Sequence, residues 1–190
     1  LATSSAASDV YKRQYKSIKM VNRIINFNFF RSAKNTFKKE IDSISKIPLE
    51  LNSKNYNKFC QEILSNNGNL FLMGIGKSGN IAEKICSTLS STGTPAIYIN
   101  AAEASHGDMG MLTKKDLLIV FSFSGETEEI LKILPSCKKK VKNILSVTGN
   151  EKSTLSKNSK ISITLQIDEE ACPMDLAPTT SSTSMLLLGD

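Results

Sequence analysis

Five apolar runs of strand length recur along this chain. They lie at residues 70–73, 96–99, 117–121, 143–147 and 161–165. The runs at 70–73 and 117–121 show no alternation of apolar and polar residues, which is typical of strands buried on both faces of a parallel sheet. We expect each run to form a β-strand.

Stretches of helical spacing lie between these runs, at residues 81–89, 126–137 and, more weakly, 153–157. This alternation of strands and helices predicts an α/β fold with a doubly wound parallel sheet. Ligands of such sheets bind outside the carboxyl ends of the strands. The loops that follow the apolar runs are therefore the candidate functional segments.

Two amphipathic helices are predicted ahead of the first strand. Phe37, Ile41 and Ile44 have helical spacing, and a second set of this kind lies at residues 56–64. We interpret residues 24–67 as N-terminal helices that serve as packing or oligomer surfaces without a functional role. The main domain is expected to span residues 68–190.

The first 23 residues differ from the rest of the chain. They do not begin with Met, they are rich in Ser and Ala, and they show no apolar period. They also hold four of the six net positive charges. We expect them to lie outside the fold, either as an appended scar or as a targeting segment for organellar import.

Composition limits the function classes. A chain of 190 residues that is 40% apolar can build one domain with an ample core. The weak charge after residue 23 argues against nucleic-acid binding, and no apolar run approaches the length of a membrane span. Four cysteines without a CxxC pair and a single histidine predict a cytoplasmic protein without a metal or another cofactor.

The stretch at residues 69–80, NLFLMGIGKSGN, joins the first strand to a helix. Gly76 and two neighbouring glycines permit a tight turn, and both Lys77 and Ser78 can bind an oxyanion. The N–H groups and the dipole at the start of a helix favour a phosphate or a similar anion. We therefore predict a phosphate-binding loop.

Other interpretations of this stretch stay open. Its sequence fits the GxGxxG pattern of a dinucleotide site. The acidic residue that would bind the ribose is missing, however, because the second strand ends at Asn100. The P-loop pattern fails because Phe71 stands in place of its first glycine. The remaining alternative is a structural turn between strand and helix.

A second candidate anion site follows the strand at residues 117–121. The sequence FSFSGET places Ser122, Ser124 and Thr127 around Gly125 at a strand-to-helix turn. Short hydroxyl side chains beside free helix N–H groups can clamp a phosphate. The alternative is that Ser124 only caps the helix.

Two more polar segments follow other strands. Residues 103–110, EASHGDMG, contain the single histidine, His106, a residue that is more often structural than catalytic when it stands alone. Residues 168–184, DEEACPMDLAPTTSSTS, bring acidic residues and a run of hydroxyls ahead of a last helix. This run also fits a helix cap or a polar loop.

Six motifs in order, GIGKSG, STGTP, AAEASHGDMGML, SFSGETEEI, VTGN and EEACP-x-x-LAPTTSST, closely resemble the sugar isomerase (SIS) domain. More narrowly, they resemble the arabinose-5-phosphate isomerase family, whose members interconvert D-arabinose 5-phosphate and D-ribulose 5-phosphate. The resemblance covers residues 68–190. It implies a five-stranded parallel sheet, a homodimer or homotetramer with active sites at subunit interfaces, and often a following pair of CBS domains.

The resemblance also assigns residue roles. Lys77, Glu129 and Glu170 match catalytic positions of the family. Segments that contact substrate match Gly93, Thr94, His106, Lys132 and Asp168, which join the loop residues Gly76, Ser78, Ser122, Ser124 and Thr127 as substrate-binding candidates. Asn100 stands where some relatives carry a metal-binding histidine, so a metal is not expected.

These side chains suit an aldose-ketose isomerisation. Moving a carbonyl from C1 to C2 requires abstraction of a carbon-bound proton, an enediolate, and return of the proton. A carboxylate with a raised pKa can carry the proton, and a lysine ammonium can stabilise the oxyanion. Lys77 is the electrostatic candidate, whereas Glu129 and Glu170 are base candidates that the sequence does not rank. The alternative function is a SIS module that binds a sugar phosphate without turnover.

The chain ends in an apolar run at residues 185–188, followed by Gly189 and Asp190. Folded domains seldom end inside such a helix, so we expect further sequence after Asp190. It would include the family's later histidine in an SHPGG-like segment. We therefore predict little or no isomerase activity for these 190 residues alone.

Overall fold

The computed structural model describes residues 28–174 and 176–190. Contacts divide the chain into two units, Leu1–Asn35 and Thr36–Asp190. In the described part of the first unit the chain is helical from Phe29, and Asn28 Oδ1 accepts a hydrogen bond of 2.8 Å from the Arg31 N–H group. The predicted leader at residues 1–23 lies outside the described residues.

A five-stranded parallel sheet forms the centre of the second unit. Its strands are β1 (Leu70–Gly74), β2 (Ala96–Asn100), β3 (Leu117–Phe121), β4 (Asn143–Thr148) and β5 (Ile161–Thr164). They lie in the order β2-β1-β3-β4-β5, and all neighbouring pairs are parallel. The predicted α/β class, the doubly wound sheet and all five strand positions are confirmed.

Helices precede the sheet and join its strands. They are α1 (Phe29–Ile44), α2 (Ile47–Glu50), α3 (Ser53–Leu64), α4 (Gly76–Ser91), α5 (Ala101–Ala104), α6 (Glu128–Lys140), α7 (Thr154–Asn158) and α8 (Thr180–Gly189), with a 3₁₀ turn at Asp108–Met111. The helices predicted before the first strand and between the strands are thus confirmed. α4 is longer than its apolar spacing indicated, and α6 begins and ends two to three residues later than predicted.

Alternate residues of the strands pack into two hydrophobic cores, one on each face of the sheet. Leu70 and Leu72 of β1 join the core formed with α2, α3, α4 and α8. Phe71 and Met73, one residue out of phase, join the core formed with α5, α6 and α7. Because successive side chains of a strand point to opposite faces, a strand covered on both sides must be apolar throughout.

The N-terminal helices are only partly covered. Ile47 and Phe59 are buried in the first core, whereas Phe37 and Ile41 of α1 are 71% and 63% exposed. In the terminal helix α8, Met185 is buried and Leu187 is exposed. The apolar run that closes the sequence therefore packs partly into the domain. None of the helices in the described part of the chain is long and apolar enough to cross a membrane.

Candidate active site

The strand order places the switch point of the sheet between β1 and β3, and we expect a ligand crevice there at the carboxyl edge. From β1 the chain crosses to β2 on one side, whereas β3, β4 and β5 follow one another on the other side. The direction of winding therefore reverses between β1 and β3. Open α/β sheets bind their ligands at such a switch point. Both predicted anion loops flank this crevice, because one follows β1 and the other follows β3.

The loop after β1 turns directly into α4. The residue before the helix, Ile75, is extended and has no side-chain hydrogen bond to cap the helix. Gly76 has a φ of 58°, and a Cβ atom there would meet only open space. The exposed Lys77 and the half-buried Ser78 follow in the first turn. The uncapped N–H groups that begin α4 thus lie at the carboxyl edge of the sheet, in the same turn as Lys77 and Ser78.

The other two glycines of this loop let the strand and the helix approach closely. A Cβ atom at Gly74 would lie 2.9 Å from the Gly79 Cα atom, and one at Gly79 would lie 2.6 Å from the Tyr98 hydroxyl. That hydroxyl donates a hydrogen bond of 3.3 Å to the Gly74 carbonyl oxygen. The glycine spacing therefore has a packing explanation and does not require a dinucleotide.

The loop after β3 folds around a hydroxyl pair. Ser122 is buried, and its Oγ atom lies 2.7 Å from Thr127 Oγ1 and accepts a hydrogen bond of 3.2 Å from the Gly125 N–H group. The exposed Ser124 accepts a hydrogen bond of 3.2 Å from the Glu126 N–H group, and α6 begins only at residue 128. Ser124 therefore closes the turn ahead of the helix and does not cap α6.

The start of α6 resembles the start of α4. Its N-cap residue, Thr127, makes no side-chain hydrogen bond to the helix. Two helix N-termini without side-chain caps therefore border the same crevice, each beside hydroxyl groups. Their orphan N–H groups and positive dipole ends favour an anion.

Neighbouring loops hold the β3 loop in place. Gly125 has a φ of 65°, and a Cβ atom there would lie 2.2 Å from Ser153 Oγ. Its carbonyl oxygen accepts a hydrogen bond of 3.1 Å from Leu155 N–H, and Glu126 Oε1 accepts one of 2.6 Å from Thr154 N–H. The start of α7 thus fixes this loop before any ligand arrives.

Glu170 lies in the loop after β5, next to the start of α8. Its Oε2 atom accepts hydrogen bonds from Thr179 N–H at 2.7 Å, from Thr179 Oγ1 at 3.1 Å and from Ser181 N–H at 3.3 Å. A carboxylate in this position satisfies orphan N–H groups of the helix and complements its dipole. Glu170 therefore caps α8.

These bonds also set the charge of Glu170. Burial alone would raise its pKa, but the hydrogen bonds from Ser181 and Thr179 together outweigh burial and hold the pKa below the ordinary value of a glutamate. In this structure Glu170 therefore lacks the raised pKa that is expected of a carboxylate that carries the proton. Glu170 is a fixed, ionised carboxylate at neutral pH.

The other predicted residues are distributed over several elements. Glu129 is exposed in the first turn of α6, and Lys132 lies one turn further along the same helix. His106 is exposed between α5 and the 3₁₀ turn that follows β2. Asp168 follows β5 and forms an ion pair with Lys46.

Gly93 and Thr94 are not at the crevice. They follow the end of α4 and precede β2, which places them at the amino edge of the sheet, opposite the predicted anion loops. A single chain therefore does not bring these two residues together with Lys77 or Ser124.

The candidate metal ligands and two of the cysteines have surroundings that the structure describes. Residues 28–174 and 176–190 contain no group of three or more His, Cys, Asp or Glu side chains that could hold a metal ion. Asn100 Oδ1 accepts a hydrogen bond of 2.9 Å from Ala102 N–H and so caps α5. Burial raises the pKa of both Cys86 and Cys137 to about 11, so neither thiol is a ready nucleophile.

Sequence patterns did not reveal the contacts between α1 and the loop after β5. Lys39 pairs with Glu169 at 2.6 Å, and Ser43 Oγ accepts a hydrogen bond of 3.3 Å from Asp168 N–H. These partners lie more than a hundred positions apart, and no local periodicity signals such a contact.

The family model and the similar curated proteins all indicate the SIS-domain family. The SIS domain model matches residues 63–190. The arabinose 5-phosphate isomerase KdsD of Francisella tularensis subsp. tularensis is 44% identical over 162 residues, which are 84% of this chain and 49% of that protein. The enzyme of the same name from Pseudomonas aeruginosa is 41% identical over 170 residues, which are 90% of this chain and 52% of that protein. The chain thus spans about half the length of these relatives.

A solved structure agrees with this sequence similarity. A protein of Escherichia coli CFT073, solved in complex with arabinose 5-phosphate, has a TM-score of 0.82 and 35% sequence identity to this chain. The match covers 88% of each chain. The similarity in structure therefore extends over most of both chains.

Proposed function

Since this chain belongs to the SIS-domain family, we propose that the complete protein is an aldose-ketose isomerase that interconverts D-arabinose 5-phosphate and D-ribulose 5-phosphate. The observation that carries the proposal is that α4 and α6, two helices without side-chain caps at their N-termini, follow β1 and β3 on either side of the switch point. The names of the curated relatives and the arabinose 5-phosphate complex of the solved relative support this substrate.

The phosphate group is proposed to bind at the loop after β3. Ser124 offers an exposed hydroxyl, Thr127 a half-buried one, and the first N–H groups of α6 are free of side-chain caps. A phosphomonoester accepts hydrogen bonds from both kinds of donor. Because neighbouring loops already hold this segment, little ordering is required on binding.

The reacting carbons are proposed to lie toward the loop after β1. In the aldose-to-ketose direction, a base removes the proton from C2, the carbonyl oxygen at C1 gains negative charge, and the proton returns to C1. The Lys77 ammonium and the first N–H groups of α4 would stabilise that developing charge. No cofactor is needed for this transfer, because the sugar is neither oxidised nor reduced overall.

Two carboxylates are proposed to take part in proton transfer, and the structure distinguishes them physically. Glu129 is exposed on the first turn of α6. Glu170 is held by three hydrogen bonds at the start of α8. Removing the charge of Glu129 should affect turnover alone, whereas removing the charge of Glu170 should also weaken the fold.

A homo-oligomer is part of this proposal. Gly93 and Thr94 lie at the amino edge of the sheet and so cannot reach the crevice of their own chain. If they contact substrate, as the family resemblance implies, they do so in the site of a neighbouring subunit. His106, Lys132 and Asp168 stay proposed as substrate contacts at the carboxyl edge.

The test is the rate of ribulose 5-phosphate formation by the complete protein, measured for the wild type, Glu129→Gln and Glu170→Gln. Loss of one acid-base group should lower kcat by about 10²- to 10⁴-fold. Thermal unfolding should shift only slightly in Glu129→Gln, which loses a charge near a helix N-terminus, and clearly to lower temperature in Glu170→Gln. Binding of arabinose 5-phosphate without turnover by the wild type would instead support a non-catalytic sugar-phosphate module.

A further inference from the structure

One face of α1 contacts the loop that carries Glu170. Lys39 pairs with Glu169 at 2.6 Å, Lys46 pairs with Asp168, and Ser43 Oγ accepts a hydrogen bond of 3.3 Å from Asp168 N–H. Residues 39, 43 and 46 are spaced by four and three positions, which places them on one helical face. Lys39 and Ser43 lie in α1, and Lys46 lies two residues past its end.

The central contact of this face is buried. Ser43 is only 2% exposed, although it is a polar residue near the end of α1. Buried hydroxyls are normally hydrogen-bonded, and this one accepts from the backbone of the loop. The two flanking ion pairs are exposed, so water and salt weaken each of them.

The same helix also contacts the element on the other side of Glu170. Thr183 Oγ1 in α8 donates a hydrogen bond of 3.2 Å to Glu40 Oε2. α1 therefore contacts the two residues that immediately precede Glu170 and the helix that Glu170 caps. A shift of this loop relative to α8 would break the hydrogen bonds of the Glu170 carboxylate.

We propose that α1, together with Lys46 just past its end, positions Glu170 for the reaction, with Lys39, Ser43 and Lys46 as positioning residues. This inference rests on the proposed function, since a role of Glu170 in turnover comes from there. It assigns a function to a helix that its sequence pattern presents only as a packing or oligomer surface. Each of the three residues acts through the loop at residues 168–170.

Hydrogen exchange of single amides tests the mechanical part of the proposal. In Ser43→Ala, exchange at Asp168 N–H should rise about fivefold, as expected for the loss of one ordinary hydrogen bond. If α1 positions Glu170, exchange should also rise at Thr179 and Ser181. A rise confined to Asp168 would overturn the proposal. Ser45→Ala is the matched control, because Ser45 is exposed and bonds to the carbonyl oxygen of Ile41 in α1.

Kinetics of the complete protein test the functional part. The double variant Lys39→Gln, Lys46→Gln should lower kcat about threefold to tenfold, because both exposed ion pairs to residues 168 and 169 are lost. KM should change less than kcat, because the phosphate loops are untouched and only the proposed contact through Asp168 is loosened. Lys39→Arg should retain wild-type kcat, since it keeps the pairing. The control is Lys38→Gln, which removes one positive charge from a solvent-facing position of α1, where Lys38 pairs with Asp42 at 3.6 Å.

Hydrogen exchange and kinetics together distinguish failure of this inference from failure of the proposed function. An unchanged kcat in the double variant of an active protein would overturn the positioning role. A wild-type protein without isomerase turnover would contradict the proposed function, whereas the exchange at Thr179 and Ser181 would still decide whether α1 holds Glu170 in place.

Discussion

Ser124 and Gly125 are neighbours in the loop after β3 but contribute differently. The Ser124 hydroxyl is exposed at the crevice, whereas Gly125 has a positive φ and no room for a side chain. The first residue therefore offers a contact to a ligand, and the second allows the loop to adopt its shape.

Replacing Ser124 with Ala should weaken substrate binding more than turnover. A phosphate remote from the reacting carbons contributes mostly uniform binding, so its loss raises KM. A hydrogen bond to a charged group is worth about 1.5 to 3 kcal/mol, which corresponds to a rise in KM of about tenfold or more. Steady-state kinetics of the complete protein measure this rise. Ser65→Ala, at an exposed position after α3, is the control, and an unchanged KM in Ser124→Ala would leave Ser124 as a turn residue only.

Replacing Gly125 with Ala should destabilise the domain. The substitution adds a side chain at a φ of 65° and places it 2.2 Å from Ser153 Oγ. A strained backbone conformation costs about 1 to 3 kcal/mol, and displacement of Ser153 adds to that cost. Chemical denaturation measures the free energy of unfolding. Gly110→Ala is the control, because a Cβ atom there meets nothing within 4 Å, and equal stability of the two variants would contradict this account.

At the scale of elements, hydrogen-bonded carboxylates tie loops and helix ends to the sheet. Asp116 accepts hydrogen bonds from Asn69 N–H at 2.8 Å and from Thr113 N–H at 2.6 Å, just before β1 and β3 begin. Burial alone would raise the pKa of Asp116, but these bonds hold the pKa below its ordinary value. Glu170 plays the same part at the start of α8. Both groups are thus more readily ionised in the folded protein than in the unfolded chain.

Stability should therefore fall with acid. A carboxyl group whose pKa is lower in the folded state stabilises the fold above its unfolded pKa of about 4, and this contribution is lost as pH falls through the folded pKa. Denaturation at a series of pH values should show a declining free energy of unfolding below about pH 5. The decline should be shallower in Asp116→Asn. An identical pH dependence in that variant would contradict the role of Asp116.

The sequence predicted some of these elements well and others poorly. The strands were predictable because a strand buried on both faces must be apolar, as in β1 and β3. The positions of the two loops proposed to bind an anion were predictable, because glycines and hydroxyls directly follow those strands. The cap that Glu170 forms on α8 and the buried hydrogen bond of Ser43 were not predictable, because each depends on how distant segments pack and leaves no periodic signal.

At the scale of the whole molecule, the order of the strands brings the candidate residues together. Lys77 and Ser124 are far apart in sequence, yet they follow adjacent strands on either side of the switch point. The same topology leaves Gly93 and Thr94 at the opposite edge, which is the reason for proposing a shared site between subunits. The central claim is that a pentose phosphate binds between the loops after β1 and β3. Side chains there are proposed to transfer one of its carbon-bound protons between C1 and C2.

Proton exchange with solvent tests that claim most directly. The complete protein is incubated with arabinose 5-phosphate in D₂O, and the recovered sugar phosphates are examined by NMR. We expect ribulose 5-phosphate to form and deuterium to appear at C1 or C2, and both should slow by about 10²- to 10³-fold in Lys77→Met. A wild-type protein that binds arabinose 5-phosphate but yields neither the ketose nor deuterium incorporation would contradict the account.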